Sequence, residues 1–246
     1  MTWLRCAESR PWASLRLFCL PHAGGSAVFF RPWAKEINPA VEVHAVQYPG
    51  RADRMADPLI DDAHQVARLV AGAMAPLIDR PAAVFGHSMG AVLAYEVTRL
   101  LQERGTAPVH LFVSGTRPPH DRDDVPVSER DDDALVAEML KLGGTDADAL
   151  RDAELRALVL PYVRNDFALL EKYVHRAAGT RLTVPITAII GDADPHVSAE
   201  QAAGWADVTD GPFAMTTLPG DHFYLTERAH DVMAEVLRTL GVPAAR

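Results

Sequence analysis

Six short apolar runs punctuate this chain, and segments of helical periodicity separate them. Leu15–Leu20, Val41–Gln47, Ala82–Phe85, His110–Val113, Ile186–Ile190 and Phe213–Leu218 read as strands. Val28–Ile37, Ala63–Ile78, Ala91–Glu103, Ala199–Val208 and Thr226–Leu240 read as helices. Strands that alternate with helices predict an α/β fold, with a parallel sheet covered on both faces. Continuous apolar runs, rather than alternating ones, fit strands buried on both sides. At 246 residues, with 48% apolar and 23% charged residues, the chain suffices for one such core without disulfides or metal. Domain 1–246 is therefore read as a single unit.

Charge and cysteine content narrow the function classes. The net charge is −9, which disfavours a general nucleic-acid binder. Most of it sits between His120 and Leu155, where twelve Asp and Glu face four Lys and Arg. Cys6 and Cys19 are the only cysteines, too few for a secreted disulfide framework, and Cys19 lies in an apolar run as a core thiol. The first residues lack an apolar signal core, and no run of about 20 apolar residues spans a bilayer. A cytoplasmic setting without membrane association is expected.

Residues 117–181 break the rhythm, because only helical patterning lies there. Ser128-Glu129-Arg130-Asp131 has the form of a capping box. Leu135, Met139 and Leu142 follow at helical spacing, with Gly143-Gly144 as a stop. Thr145 to Asp148 predicts a short second helix. Leu155, Leu158, Val159, Tyr162 and Val163 form a further stripe, with Pro161 as a kink or a new start. A helical insertion late in an α/β sheet is either a plain subdomain or a lid over an active site, and a lid is expected here.

The chemistry centres on Gly86-His87-Ser88-Met89-Gly90. G-x-S-x-G alone is a common pattern. Here an apolar strand precedes it and Ala91-Val92-Leu93-Ala94-Tyr95-Glu96 follows as a helix, the context that lifts a serine onto a sharp exposed turn. A serine hydroxyl needs a base. In this architecture the acid and then the histidine follow the serine in chain order. His222, directly after the last strand, fits the base. His196 is the rival, placed too early and too close to the acid. His110, His120, His175 and His230 read as surface or packing residues, and His87 as turned away from the serine. After the penultimate strand, Asp194 fits the orienting acid, and Asp192 fits a turn role. The oxyanion hole takes one amide from Met89 and one from the glycine-rich loop Pro21-His22-Ala23-Gly24-Gly25, with Ala23 as donor. That loop lacks the Lys-Ser/Thr and spacing of a phosphate cradle.

Pro21-His22-Ala23-Gly24-Gly25, Tyr48-Pro49-Gly50-Arg51, Gly86-His87-Ser88-Met89-Gly90, Gly191-Asp192-Ala193-Asp194 and Gly220-Asp221-His222-Phe223 appear in that order. As a set, over Leu15 to Leu240, they resemble the type II (editing) thioesterases of modular polyketide and nonribosomal peptide synthases. Pro161-x-x-Arg164-x-Asp166-Phe167 resembles that family's lid. Ala52 departs from it, since the family often continues Pro-Gly-Arg with Gly. The resemblance implies an α/β-hydrolase fold with a helical lid insertion over 117–181. It also implies a substrate held as an acyl thioester on the phosphopantetheine arm of an acyl or peptidyl carrier protein, cleared in trans. No metal or redox cofactor is implied, and a monomer is expected. Carrier proteins are acidic, so Arg51 and Arg54 are docking candidates. The alternative for Arg51 is a carboxylate partner that braces its loop. Leu135, Met139, Val159 and Tyr162 are candidates for an acyl channel, or else pack the lid onto the core. The alternative functions are a medium-chain fatty-acyl thioesterase and a general carboxylesterase.

Overall fold

The protein is described from a computed structural model, which covers residues 3–121, 126–143, 152–176 and 181–243. Its seven-stranded sheet has the order β1-β3-β2-β4-β5-β6-β7. The strands are β1 (Leu4–Arg5), β2 (Leu15–Leu20), β3 (Val41–Val46), β4 (Ala82–His87), β5 (His110–Ser114), β6 (Ile186–Gly191) and β7 (Phe213–Leu218). All neighbours pair in parallel except β1, which runs antiparallel to β3. The six expected strands are present. β1 was not foreseen, because two residues carry no periodicity. β7 departs from the expected full burial: it is an edge strand whose Met215 is 39% exposed.

Alternation along β2 shows how the sheet divides the core. Phe18 and Leu20 pack with α2 (Ala63–Met74) and α3 (Met89–Glu103) on one face. Leu15, Leu17 and Cys19 pack with α1 (Arg31–Glu36) and α8 (Ala229–Thr239) on the other. Asp62 caps α2 by accepting from the Gln65 N–H at 3.0 Å. The expected helix over Ala199–Val208 is α6 (Ala199–Ala203) followed by a 3-10 segment (Gly204–Val208), and that over Thr226–Leu240 is two pieces, α7 (Tyr224–Glu227) and α8.

Between β5 and β6 stand α4 (Asp132–Leu142) and α5 (Ala153–Glu171). The expected capping box at Ser128 is absent. Asp131 caps α4 through the Ala134 N–H, whereas the Ser128 N–H and hydroxyl both donate to Glu171 on α5. Gly143, at φ +80°, ends α4 as expected. Pro161 lies inside a single continuous α5. Leu155 and Leu158 are exposed, and the buried face of α5 is Leu160, Val163, Asp166 and Leu169. Gly144 and the Thr145–Asp148 helix lie outside the described residues. No helix among the described residues is long and apolar enough to cross a membrane.

Parallel pairing brings the carboxyl ends of the strands to one edge. Leu20 of β2 pairs with Gly86 of β4, so the loop after β2 lies beside the turn after β4. Gly191 of β6 pairs with Leu218 of β7, which sets the Asp194 and His222 loops side by side. Ligands of open α/β sheets bind at this edge, where the strand order reverses direction.

Candidate active site

Ser88 occupies the N-cap of α3, a position where a serine hydroxyl ordinarily bonds the helix amides. Here φ is +54° and ψ −120°, and the side chain makes no cap bond. The strained turn swings the hydroxyl away from the helix and onto a cavity of about 390 Å³. Two glycines permit the turn. A Cβ on Gly86 would sit 2.2 Å from the Gly90 carbonyl oxygen, and one on Gly90 would sit 2.0 Å from that of Leu20.

His222 lines the same cavity. Its Nδ1 lies 2.8 Å from Asp194 Oδ2, and both side chains are buried. A carboxylate only accepts, so Nδ1 carries the proton and Nε2 holds a free lone pair. That Nε2 is buried and has no hydrogen-bond partner among the described residues. The second oxygen, Asp194 Oδ1, accepts from the His196 backbone N–H at 2.8 Å. His196 therefore supports the acid through its backbone, and its ring stands on the cavity wall. Asp192 accepts from the Gly220 N–H at 2.9 Å, the turn role expected of it.

Three further imidazoles surround His222. The rings of His87 and His196 lie 5.0 Å and 5.5 Å from it, and that of His22 lies 5.9 Å from His87. Burial lowers all three, and the neighbouring His222 lowers them further, His22 to about 3. They are neutral at pH 7. His87 is turned into the protein as expected, where Nδ1 lies 2.9 Å from Ser114 Oγ. Ser114 in turn meets the Tyr224 hydroxyl, which donates to the Ile189 carbonyl at 2.9 Å. Sequence reasoning missed Ser114, Tyr224 and also Gly115, where a Cβ would lie 2.7 Å from His87 Cε1. His110 is a packing residue bonded to Thr187, and His120 and His230 are exposed. His175 contacts the Tyr95 hydroxyl at 3.2 Å.

Ala23 is on the cavity wall, and Met89 is the first residue of α3. A first-turn N–H has no acceptor within its own helix, so the Met89 amide is available to an oxyanion. The opposite wall comes from α4 and α5, through Glu138, Lys141, Leu142, Phe167, Leu170 and Glu171. This decides between the two roles open to Leu135, Met139, Val159 and Tyr162 in favour of packing. Leu135 and Met139 are buried with Val127, Leu160 and Val163, with Val159 and Tyr162 packed on them, and none of the four expected residues lines the cavity.

Neither Arg51 nor Arg54 takes the docking role, and Arg51 takes the alternative expected of it, a carboxylate partner. Arg51 is buried and forms a two-pronged ion pair with Asp166 of α5, with Nη2 to Oδ1 at 2.7 Å. Arg54 is buried over the Trp3 ring and bonds Asp57 and the Gln47 carbonyl. Ala52 beside them has φ +51°, a left-handed conformation that favours glycine.

A parallel sheet with a serine elbow at its carboxyl edge, followed by an Asp loop and a His loop, defines an α/β-hydrolase. The chain belongs to the thioesterase domain family, whose profile matches residues 15–241. It is 42% identical over 250 residues to thioesterase PikA5 of Streptomyces venezuelae, covering 99% of this chain and 89% of that one. It superimposes on the solved type II thioesterase BorB of the borrelidin biosynthetic cluster with a TM-score of 0.89, at 39% identity, covering 96% of each chain. It is also 35% identical to the medium-chain S-acyl fatty acid synthase thioesterase of Rattus norvegicus, over 90% of this chain and 86% of that one.

Proposed function

We propose that this protein hydrolyses acyl thioesters from the phosphopantetheine arm of an acyl or peptidyl carrier protein, in trans, to clear aberrant or stalled units from a polyketide or nonribosomal peptide synthase. One observation carries the reading. A buried Asp194–His222 pair leaves Nε2 without a partner on the cavity that receives the strained Ser88. Likeness to PikA5 and BorB supports the carrier-bound substrate.

Ser88 Oγ attacks the thioester carbonyl as His222 Nε2 takes its proton. Asp194 holds the tautomer and stabilises the imidazolium. The Ala23 and Met89 amides stabilise the oxyanion. The C–S bond breaks and His222 passes the Ser88 proton to the departing sulfur, so pantetheine leaves as the thiol and His222 is neutral again. A water then gives its proton to His222 as its oxygen adds to the acyl carbonyl, and the bond to Ser88 Oγ breaks as His222 returns that proton to Ser88, releasing the acid. Residues 117–181 act as a lid over this reaction, and the protein works as a monomer.

A medium-chain fatty-acyl thioesterase is the second reading, favoured by the similarity to the rat enzyme. A profile of activity against acyl length separates the two. The site itself is tested with a fluorophosphonate probe. Stoichiometric labelling of Ser88, lost in Ser88→Ala and slowed in His222→Ala, is expected. Labelling that survives Ser88→Ala refutes the assignment.

A further inference from the structure

The loop that offers the Ala23 amide carries no regular structure, yet an oxyanion donor must be held rigidly to be useful. Three external contacts fix it. The Tyr48 hydroxyl donates to the Pro21 carbonyl at 3.1 Å, and Arg51 Nη1 donates to the Gly25 carbonyl at 3.2 Å. Between them, the Gly24 N–H donates to Asp166 Oδ2 at 2.8 Å. This is the peptide next to the Ala23 amide, and its acceptor belongs to α5, 142 residues along the chain. The same carboxylate pairs with Arg51, whose guanidinium lies between the rings of Tyr48 and Tyr162 at 5.4 Å and 4.6 Å. Val163 of α5 closes the joint, since a Cβ on Gly24 would lie 3.1 Å from Val163 Cγ2.

We propose that Asp166 is a positioning residue for the oxyanion hole, so that the site is competent only while α5 is seated on the Pro21–Gly25 loop. The inference rests on the thioesterase reading above. Asp166 Oδ2 serves the loop amide and the Arg51 side chain together, so lifting α5 removes the acceptor from Gly24 and the partner from Arg51 in one step. Closure of the helix over the substrate then completes the catalytic geometry as well as excluding water. Asp166 touches no reacting atom. Its effect is on the transition state, through the placement of the neighbouring amide.

The test compares wild type, Asp166→Asn and Ser88→Ala on an acyl thioester of a small soluble thiol, which requires no carrier docking. Loss of one oxyanion donor costs about 10²–10³ in kcat. Misplacement of it in Asp166→Asn is expected to lower kcat by about 10- to 100-fold while KM changes less than about threefold. A trifluoromethyl ketone analogue, which forms a tetrahedral oxyanion on Ser88, should lose affinity by the same factor as kcat/KM. A non-hydrolysable thioether analogue should bind as before. The downfield Nδ1 proton of the His222–Asp194 bond should persist in the variant. Equal kcat in a folded Asp166→Asn, or undiminished ketone affinity, overturns the inference and leaves the thioesterase reading intact. Wild type that fails to hydrolyse the thioester, or Ser88→Ala that retains activity, overturns both. If Asp166→Asn does not fold, amide exchange on wild type decides. The ketone should slow exchange in 160–171 together with 21–25, and exchange in 160–171 that does not change overturns the proposal.

Discussion

Replacing Ser88 by glycine separates the strain of the elbow from its chemistry. At φ +54° and ψ −120° a residue with a Cβ sits in a region that only glycine occupies readily. Such strain costs about 1–3 kcal/mol. Ser88→Ala keeps the Cβ and therefore the strain, and both variants lose the nucleophile. Glycine relieves the strain but loosens the unfolded chain, which offsets about 0.4–1 kcal/mol. The difference favours Ser88→Gly over Ser88→Ala by about 0.5–2 kcal/mol. For a chain of this size each kcal/mol moves Tm by about 2–4 °C, so glycine should melt about 1–8 °C above alanine. Circular dichroism melts of the two inactive proteins, read beside calorimetry, measure this. A Ser88→Gly that melts at or below Ser88→Ala refutes the claim that the elbow stores strain.

Ala52→Gly should raise stability by a few tenths to about 1 kcal/mol in denaturant titration, since φ +51° penalises alanine, and should leave kcat unchanged. Asp194→Asn should lower kcat by roughly 10⁴ through loss of the correct His222 tautomer, with a nearly unchanged melting curve. Burial holds His110 near 4, below its unfolded value of about 6.5, so its contribution to stability is complete above pH 6.5 and lost as pH falls toward 4. His110→Gln should flatten the stability–pH slope between pH 6.5 and 4 by up to about 1.4 kcal/mol per unit, and chemical denaturation at stepped pH checks it.

What the sequence disclosed follows from the range of the interactions involved. Strands buried on both faces announce themselves as continuous apolar runs, and the elbow is local, so β2 to β6 and Ser88 were legible. Asp194 and His222 were legible because the order of elements places their loops at one sheet edge. Contacts distant in sequence were not. Ser128 has the pattern of a cap, but its hydroxyl is taken by Glu171, 43 residues on. Arg54 looks like a surface cation until the fold brings Trp3 to it, and the carboxylate partner expected as one role of Arg51 is not nameable until the fold brings Asp166 from 115 residues away. Helical spacing found the apolar stripes of α4 and α5, yet it does not tell which stripe meets the other helix and which meets the cavity. Leu142 and Phe167 line the wall, whereas Leu135 and Met139 fill the helices' own small core.

The function proposed for this site is hydrolysis of acyl groups delivered as carrier thioesters. The direct measurement is kcat/KM for one acyl group presented on a phosphopantetheinylated carrier protein, on a short soluble thiol and on a simple alcohol, with Ser88→Ala as control. The highest value is expected on the carrier, a lower one on the free thioester, little turnover of the alcohol ester, and none in Ser88→Ala. Equal or better turnover of the alcohol ester would make the protein a general esterase and refute the carrier-thioesterase assignment.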